Sequence, residues 1–117
     1  MPDVRQILND FNSGVVKVAR QMPEFTQSFM NFLGAVYKDG ALSVKQKELI
    51  SVAIGAYNRC EYCIVHHVYK ALEAGATPEE IMEAAGVAIG FGGGPSIAYT
   101  ATLVRQSIEE FSKDFKK

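Results

Sequence analysis

Two closely spaced cysteines are the residues in this sequence with the clearest chemical potential. Cys60 and Cys63 are followed by His66 and His67, and Glu48 lies twelve residues before the first cysteine. If this stretch is helical, positions 60, 63 and 67 form one stripe, because residues three and four apart are neighbours on a helix surface. Two thiols beside an imidazole are a candidate thiol redox centre.

A helix that begins at the cysteines would favour redox chemistry. The free N–H groups and partial positive charge of a helix start favour thiolate, and a Cys-x-x-Cys pair there can have a thiol pKa of ~3.5–7.5 instead of about 8.5. One helical turn is also a distance over which two sulfurs can form a disulfide and reopen it. His67, one turn after Cys63, could take or supply a proton. Glu48 would complete a proton relay if its helix packs against this one. Glu48 shares an apolar helix stripe with Val44 and Val52, where a carboxylate is costly unless another group bonds to it.

The two histidines are expected to differ. His67 shares a helix face with Cys63 and is predicted to point inward. His66 shares its face with Tyr62 and Lys70, which indicates a wetter surface. We therefore expect His67 to be the catalytic histidine and His66 to be a surface residue.

A cysteine pair with this spacing could also attach haem, bind a metal or pack in the core. Haem attachment is excluded, because it requires a histidine directly after the second cysteine and position 64 is Ile. A zinc or iron–sulfur site would need four ligands, so Cys60, Cys63 and His67 would have to recruit one more. The thiols could also be inert core residues.

Composition points to a single small domain that spans residues 1–117. The 12 Lys and Arg residues balance 13 Asp and Glu, and no basic stripe follows any face, so neither nucleic acid nor an anionic membrane is an expected partner. No apolar run approaches the roughly 20 residues that span a bilayer, and the N-terminus lacks the apolar region of a secretory signal. We expect a soluble cytoplasmic protein with no cofactor.

The apolar pattern predicts an all-α bundle of about six helices, with no strand alternation. Start signals are Pro23, Ser43 with Gln46, the cysteine pair, and Thr77 with Pro78 and Glu80. The predicted helices cover 3–21, 23 to about 39, 44–57, 60 to about 74, 78 to about 90, and 96–111. The glycine run at 90–94 is not a phosphate loop, since no Gly-Lys-Ser/Thr follows, and is expected to be a closely packed turn. The tail at 112–117 is expected to fray.

Two of these helices are too apolar for one small domain to cover. Positions 49–57 carry one polar side chain, Ser51, and positions 84–91 are almost wholly apolar. A helix that is apolar all round must be covered all round, so we expect a homo-oligomer. The stripe Phe25, Phe29, Phe32 and Val36 is expected to be core packing rather than a ligand site, and its phenylalanines are also candidates for subunit contacts.

The order Glu48-x11-Cys60-x2-Cys63-x3-His67 resembles the signature of the alkylhydroperoxidase D-like members of the carboxymuconolactone decarboxylase family. The resemblance covers about residues 41–105, including the Ala-Thr-Pro-Glu-Glu-Ile helix start and the glycine-proline turn. It implies an all-helical obligate oligomer, a trimer or a hexamer, which reduces peroxides and cycles through a disulfide. The implied redox pair is Cys60 with Cys63, and Glu48 and His67 would relay protons. The implied substrate is a small-molecule peroxide or disulfide, with an unknown thiol as electron donor.

The sequence departs from the family at two points. Tyr62 stands where alkylhydroperoxidase D has a histidine between its cysteines, so one member of the relay is missing. The decarboxylase branch lacks the cysteine pair that this chain has, which argues against lactone decarboxylation. The alternatives left open are therefore a decarboxylase acting on a small lactone and a non-enzymatic binding module with a Cys/His metal site.

Overall fold

The computed structural model describes residues 3–116, and its regular structure there is entirely helical, as the sequence predicts. Seven α-helices follow one another along the chain: α1 (Val4–Gln21), α2 (Pro23–Tyr37), α3 (Val44–Asn58), α4 (Glu61–Glu73), α5 (Pro78–Gly92), α6 (Gly94–Tyr99) and α7 (Arg105–Phe111). A π-helical turn, Thr100–Val104, joins α6 to α7, and a 3₁₀ turn, Ser112–Phe115, follows α7. Within residues 3–116, no helix combines the length and apolar character needed to cross a membrane.

The helix starts that the sequence predicts are present with their side-chain caps. The Ser43 hydroxyl accepts from the Gln46 N–H, and the Gln46 side chain accepts from the Ser43 N–H. Thr77 and Glu80 make the same reciprocal pair at the start of α5. Each cap stabilises its helix by about 1 kcal/mol, so these two helices begin where local sequence directs them.

The core is centred on α4, which packs against α3, α1 and α7. The fully buried side chains of α4 include Ile64, Val65 and Val68, and the facing helices contribute Val52, Ile81, Val104 and Phe111. Burying each such apolar side chain stabilises the fold by about 1.5–3 kcal/mol. The helix that begins at the cysteines thus packs at the centre of the core.

The last predicted helix forms, but its buried face differs from the predicted one. The residues that it buries are Ser96, Thr100, Leu103, Val104, Ser107, Ile108 and Phe111. Ile97 and Ala101, expected on the inner face, are exposed. The π-helical turn is the physical reason, because its i→i+5 hydrogen bonds add one residue to a helical turn. The residues before the turn are therefore rotated about the helix axis, so that different side chains face the core.

The expectation that the α2 stripe packs in the core was wrong. No side chain of α2 is buried, and Phe25, Phe29 and Phe32 are 69%, 53% and 63% exposed. In α1, Val4 and Leu8 are buried, whereas Val18 near its end is half-exposed. The end of α1 and much of α2 therefore leave large apolar side chains exposed at the surface of the bundle.

The expected fraying of the tail was also wrong for residues 112–115, while Lys117 lies outside the described residues. The guanidinium of Arg5 donates to Asp114 at 2.8 and 2.9 Å, which lowers the pKa of that carboxyl. The ring of Phe115 lies 5.2 Å from that of Tyr69. These contacts tie the C-terminal turn to α1 and α4.

The glycine run forms the close turn that was expected. Gly93 has φ +64°, a left-handed value that favours glycine. A Cβ added at Gly92 would overlap the Ser96 hydroxyl and lie 3.2 Å from the Tyr57 ring. The turn thus needs glycine for both its conformation and its packing.

Candidate functional site

The start of α4 places both cysteines in its first turn. Arg59 adopts a left-handed conformation (φ +57°) that ends α3. Cys60 is then the N-cap of α4, and its sulfur accepts from the Cys63 N–H at 3.3 Å. Free N–H groups and the helix dipole favour negative charge at this position, so the reduced pair would lie where thiolate is stabilised.

Cys60 and Cys63 form a disulfide in the structure. Their Cα atoms are 5.2 Å apart, which is within the usual range for a bonded pair. Both residues are half-buried. The dithiol and the disulfide can therefore share one backbone arrangement, as a reversible pair requires.

Close packing of α3 on α4 sets the position of the pair. A Cβ at Gly55 would lie 3.3 Å from both the Cys63 Cβ and the Ile64 nitrogen, which is tighter than ordinary contact. Glycine at this position lets the two helix backbones approach. That approach brings the side chain of Glu48, two turns earlier on α3, within reach of α4.

The structure brings Glu48 and His67 together. The Nδ1–H of His67 donates to Oε1 of Glu48 at 2.7 Å, and the two side chains are 19% and 5% exposed. This bond leaves Nε2 as the basic nitrogen of the neutral imidazole. His67 follows Cys63 by four residues, so an imidazole oriented by a carboxylate lies one helical turn from the start of α4. The catalytic roles themselves remain predictions.

Tyr37 covers the other side of His67, a contact that the sequence analysis missed. Their rings stack with centroids 5.8 Å apart and an interplanar angle of 18°. The Tyr37 hydroxyl lies 2.6 Å from the Ser51 hydroxyl, which itself donates to the Lys47 carbonyl at 2.9 Å. Tyr37 is therefore the donor to Ser51, and this chain of bonds fixes the ring on His67. Ser51 is the sequence feature that could have indicated this contact, because it is the one polar side chain at positions 49–57 and a buried hydroxyl needs a partner.

His66 is not the surface residue that was expected. It is half-buried, with its ring 5.1 Å from that of Phe11 and 4.9 Å from that of His67. Burial is the largest cause that lowers the pKa of His66 to about 4; its neighbour His67 lowers it further, the Glu48 carboxylate opposes this, and Lys70 contributes a smaller lowering. The imidazole is thus neutral at pH 7. The contact with Phe11 of α1 that covers His66 could not be predicted from the sequence of α4 alone.

Lowering the pH from 7 to 4 should reduce the free energy of unfolding through His66. Its pKa falls from 6.5 to about 4 on folding, so the unfolded chain binds the proton at the higher pH. Stability is therefore complete above pH 6.5 and decreases as the pH falls towards 4. The full shift corresponds to about 3 kcal/mol, which partial solvent exposure reduces to about 1–2 kcal/mol.

Urea unfolding of the wild type and of His66→Gln at pH 7, 5.5 and 4 measures this effect. The variant carries no titrating group at position 66, so it should lose about 1–2 kcal/mol less than the wild type over that interval. The other titrating groups are common to both proteins and cancel in the comparison. Equal losses in the two proteins would contradict the expectation.

The alternative metal site is not supported by the described residues. Within residues 3–116, no group of three or more His, Cys, Asp or Glu side chains is placed to bind a metal ion. Both sulfurs are in the disulfide, and Nδ1 of His67 is bonded to Glu48. The arrangement instead combines a disulfide, an imidazole and a buried carboxylate.

Sequence comparison identifies the family of this chain. A model of the carboxymuconolactone decarboxylase family matches residues 23–106, which include α2 to α6 and every residue of the candidate site. The chain belongs to the carboxymuconolactone decarboxylase family. The resemblance noted in the sequence is thereby confirmed at the level of the family.

Solved members of the carboxymuconolactone decarboxylase family share the fold. A family protein from Legionella pneumophila is 38% identical, with a TM-score of 0.88 over 93% of this chain and 96% of its own. One from Thermotoga maritima, considered a candidate for the antioxidative response, is 33% identical, with a TM-score of 0.70 over 86% of this chain and 91% of its own.

An uncharacterised protein of Cupriavidus necator is 30% identical over 99 residues, 85% of this chain and 88% of the relative.

Proposed function

We propose that the protein is a thiol-dependent oxidoreductase that reduces a small-molecule hydroperoxide with Cys60 and Cys63. The observation that carries the proposal is the disulfide in the first turn of α4, one turn from an imidazole bonded to a buried carboxylate. The candidate antioxidative role of the Thermotoga maritima relative supports the same class of reaction. The absence of this cysteine pair from the decarboxylase branch makes lactone decarboxylation the weaker alternative.

The reaction consumes both thiols. One thiolate attacks the terminal oxygen of the hydroperoxide, the O–O bond breaks, and the products are a sulfenic acid and an alcohol. The second thiol attacks the sulfenic sulfur, an S–S bond forms and water leaves. In sum, two thiols and ROOH give a disulfide, ROH and water. His67 takes the thiol proton at Nε2 and returns it to the leaving oxygen, while Glu48 holds the tautomer and stabilises the charged imidazole.

A thiol donor must then reduce the disulfide by exchange. Such donors are maintained in reducing compartments, which agrees with the cytoplasmic location expected from the sequence. A small-molecule disulfide would react at the same pair by the same exchange and is the second substrate class to test.

Thiol titration before and after peroxide tests the proposal. The reduced chain has two thiols, and one equivalent of hydroperoxide should consume both and leave an intramolecular disulfide that dithiothreitol reverses. Protein whose thiols are first alkylated is the matched control and should leave the peroxide unchanged. A free-thiol count that stays at two after peroxide would exclude the redox role.

We also propose that the protein acts as a closed homo-oligomer, a trimer or a hexamer as the family resemblance implies. Ile50 and Ile54 on α3 and Val87 and Phe91 on α5 are exposed, and Phe91 is 83% exposed. Because α3 packs against α5, these exposed apolar side chains lie on neighbouring helices, and exposed apolar surface usually marks a contact site. Light scattering at micromolar concentration should give a mass several times that of the 12.8 kDa chain, and a fully active monomer would contradict the proposal.

A further inference from the structure

Tyr37, the last residue of α2, forms a wall beside the imidazole of His67. The two rings are nearly parallel, with an interplanar angle of 18° and centroids 5.8 Å apart. Aromatic rings attract each other in offset stacks of this spacing. A half-buried side chain of α2 thus contacts the histidine of the candidate site on α4.

The bond to Glu48 does not by itself fix the plane of this imidazole. It holds Nδ1 of His67 2.7 Å from Oε1 of Glu48, but the χ2 torsion of a histidine has a broad and roughly twofold distribution. A ring stacked on the imidazole limits that torsion, because rotation about χ2 would turn the imidazole edge towards the stacked ring. The hydrogen bond and the stack together therefore determine the direction of Nε2.

Tyr37 can limit this rotation because it is itself held at its hydroxyl and at its backbone. The hydroxyl donates to Ser51 at 2.6 Å, and Ser51 donates to the Lys47 carbonyl at 2.9 Å. The Lys47 ammonium donates to the carbonyls on either side of Tyr37, at 2.8 Å to Val36 and at 2.6 Å to Lys38. Carbonyls at a helix end lack partners within the helix, and a cation there is favoured by the helix dipole. The end of α2 is thus bound to α3 on both sides of Tyr37.

The residues that hold Tyr37 lie on the same turn of α3 as Glu48. Lys47 directly precedes Glu48, and Ser51 follows it by three residues. One turn of α3 therefore supplies both the carboxylate that bonds to Nδ1 of His67 and the groups that position the ring stacked on it. Both contacts of the imidazole are set by the same short segment.

We propose that Tyr37 is a positioning residue for His67, whose ring keeps the imidazole oriented with Nδ1 towards Glu48 and stabilises the imidazolium formed in the reaction. The stabilisation follows from the ring quadrupole, because a cation within about 6 Å of a tyrosine centroid is attracted to the ring face. The proposal rests on the proposed function, since Tyr37 acts through His67 as the proton acceptor. Its hydroxyl transfers no proton and serves to hold the ring through Ser51.

Replacing Tyr37 by leucine removes the ring and keeps an apolar side chain in its place. We expect kcat for hydroperoxide to fall about tenfold, because the imidazole loses both its orientation and the cation–π contact. KM should change less than about twofold, since Tyr37 acts on the imidazole and not on the substrate. Tyr37→Phe keeps the ring and loses one hydrogen bond, so its kcat should stay within about threefold of the wild type.

The matched control is Phe32→Leu, which removes an aromatic ring from the exposed surface of the same helix. It should leave kcat within about twofold of the wild type, because substitutions at exposed positions have small effects. Comparison with this variant separates the contact with His67 from a general effect of leucine in α2.

Nitrogen-15 NMR of His67 in the oxidised protein tests the positioning without turnover. The wild type and Tyr37→Phe should each show a single neutral tautomer, with the proton on Nδ1, where it is donated to Glu48. Tyr37→Leu should show averaged nitrogen shifts, because the imidazole exchanges between two orientations. Since no thiol reacts in this experiment, a wild type that fails to reduce peroxide would contradict the proposed function and leave the tautomer result intact.

Ser51→Ala tests the same proposal if Tyr37→Leu does not fold. Alanine is the best helix former, so α3 should be retained. Ser51→Ala and Tyr37→Phe remove the two ends of one hydrogen bond, and each should lower kcat about two- to threefold. The double variant should be no slower than the slower single variant, because residues in one bond are coupled.

Three results would overturn the proposal. The first is a Tyr37→Leu variant in which either kcat or the tautomer of His67 matches the wild type, which would make the stack packing alone. The second is a Tyr37→Phe variant as slow as Tyr37→Leu, which would assign the effect to the hydroxyl. The third is a double variant of Ser51→Ala with Tyr37→Phe whose loss of kcat is the product of the two single losses, which would show that Ser51 does not act through Tyr37.

Discussion

Replacing Cys60 or Cys63 by serine is expected to reduce steady-state peroxide turnover to the uncatalysed background. The reason is stoichiometric, because one thiol can form a sulfenic acid but cannot form the disulfide that a donor reduces. Serine keeps the size of the side chain and can still cap the helix at position 60. The loss should therefore reflect the missing sulfur rather than a damaged α4, and circular dichroism should be the same for the wild type and both variants.

A single-turnover experiment distinguishes the two cysteines. His67 follows Cys63 by one turn and Cys60 by two, so a relay through His67 favours Cys63 as the attacking thiol. We expect Cys60→Ser to consume one equivalent of hydroperoxide and trap as a sulfenic acid with dimedone. Cys63→Ser should not trap. The reverse pattern would assign the attack to the N-cap thiol of Cys60, and rapid turnover by either variant would exclude the dithiol mechanism.

The parts of the fold that the sequence predicted are those set by short-range interactions. Ser43 with Gln46 and Thr77 with Glu80 lie three residues apart, so their caps depend on little else. The spacing of Cys60 and Cys63 is equally local. The family resemblance also brought Glu48 and His67 into one relay, although the contact between them needs α3 to pack against α4.

The features that the sequence missed depend on tertiary packing. Tyr37 stacks on His67 only because α2 ends beside α3, where Ser51 fixes its hydroxyl. His66 is covered by Phe11, a residue more than fifty positions away. The exposure of Phe29 has the same origin, since an apolar stripe predicts that something covers it but does not say whether that is the core, a ligand or another subunit.

Replacing Glu48 by glutamine is expected to lower kcat for peroxide by about 100-fold or more, within the range that a positioned acid–base group contributes. Glutamine has nearly the shape of glutamate and can still accept from Nδ1–H of His67 in the buried pocket. What it lacks is the negative charge that stabilises the imidazolium formed when Nε2 takes the thiol proton. KM should change little, because Glu48 is buried and its carboxylate is bonded to His67.

The control for this prediction is Glu73→Gln, which removes a carboxylate that is half-exposed and paired with Lys70 on the surface of α4. It should leave kcat within about twofold of the wild type, since exposed pairs contribute little. His67→Ala should lose at least as much kcat as Glu48→Gln, whereas His66→Ala should have the milder effect. If Glu48→Gln retained the wild-type kcat across pH 6–9, the buried carboxylate would be a structural partner of His67 and not a member of the relay.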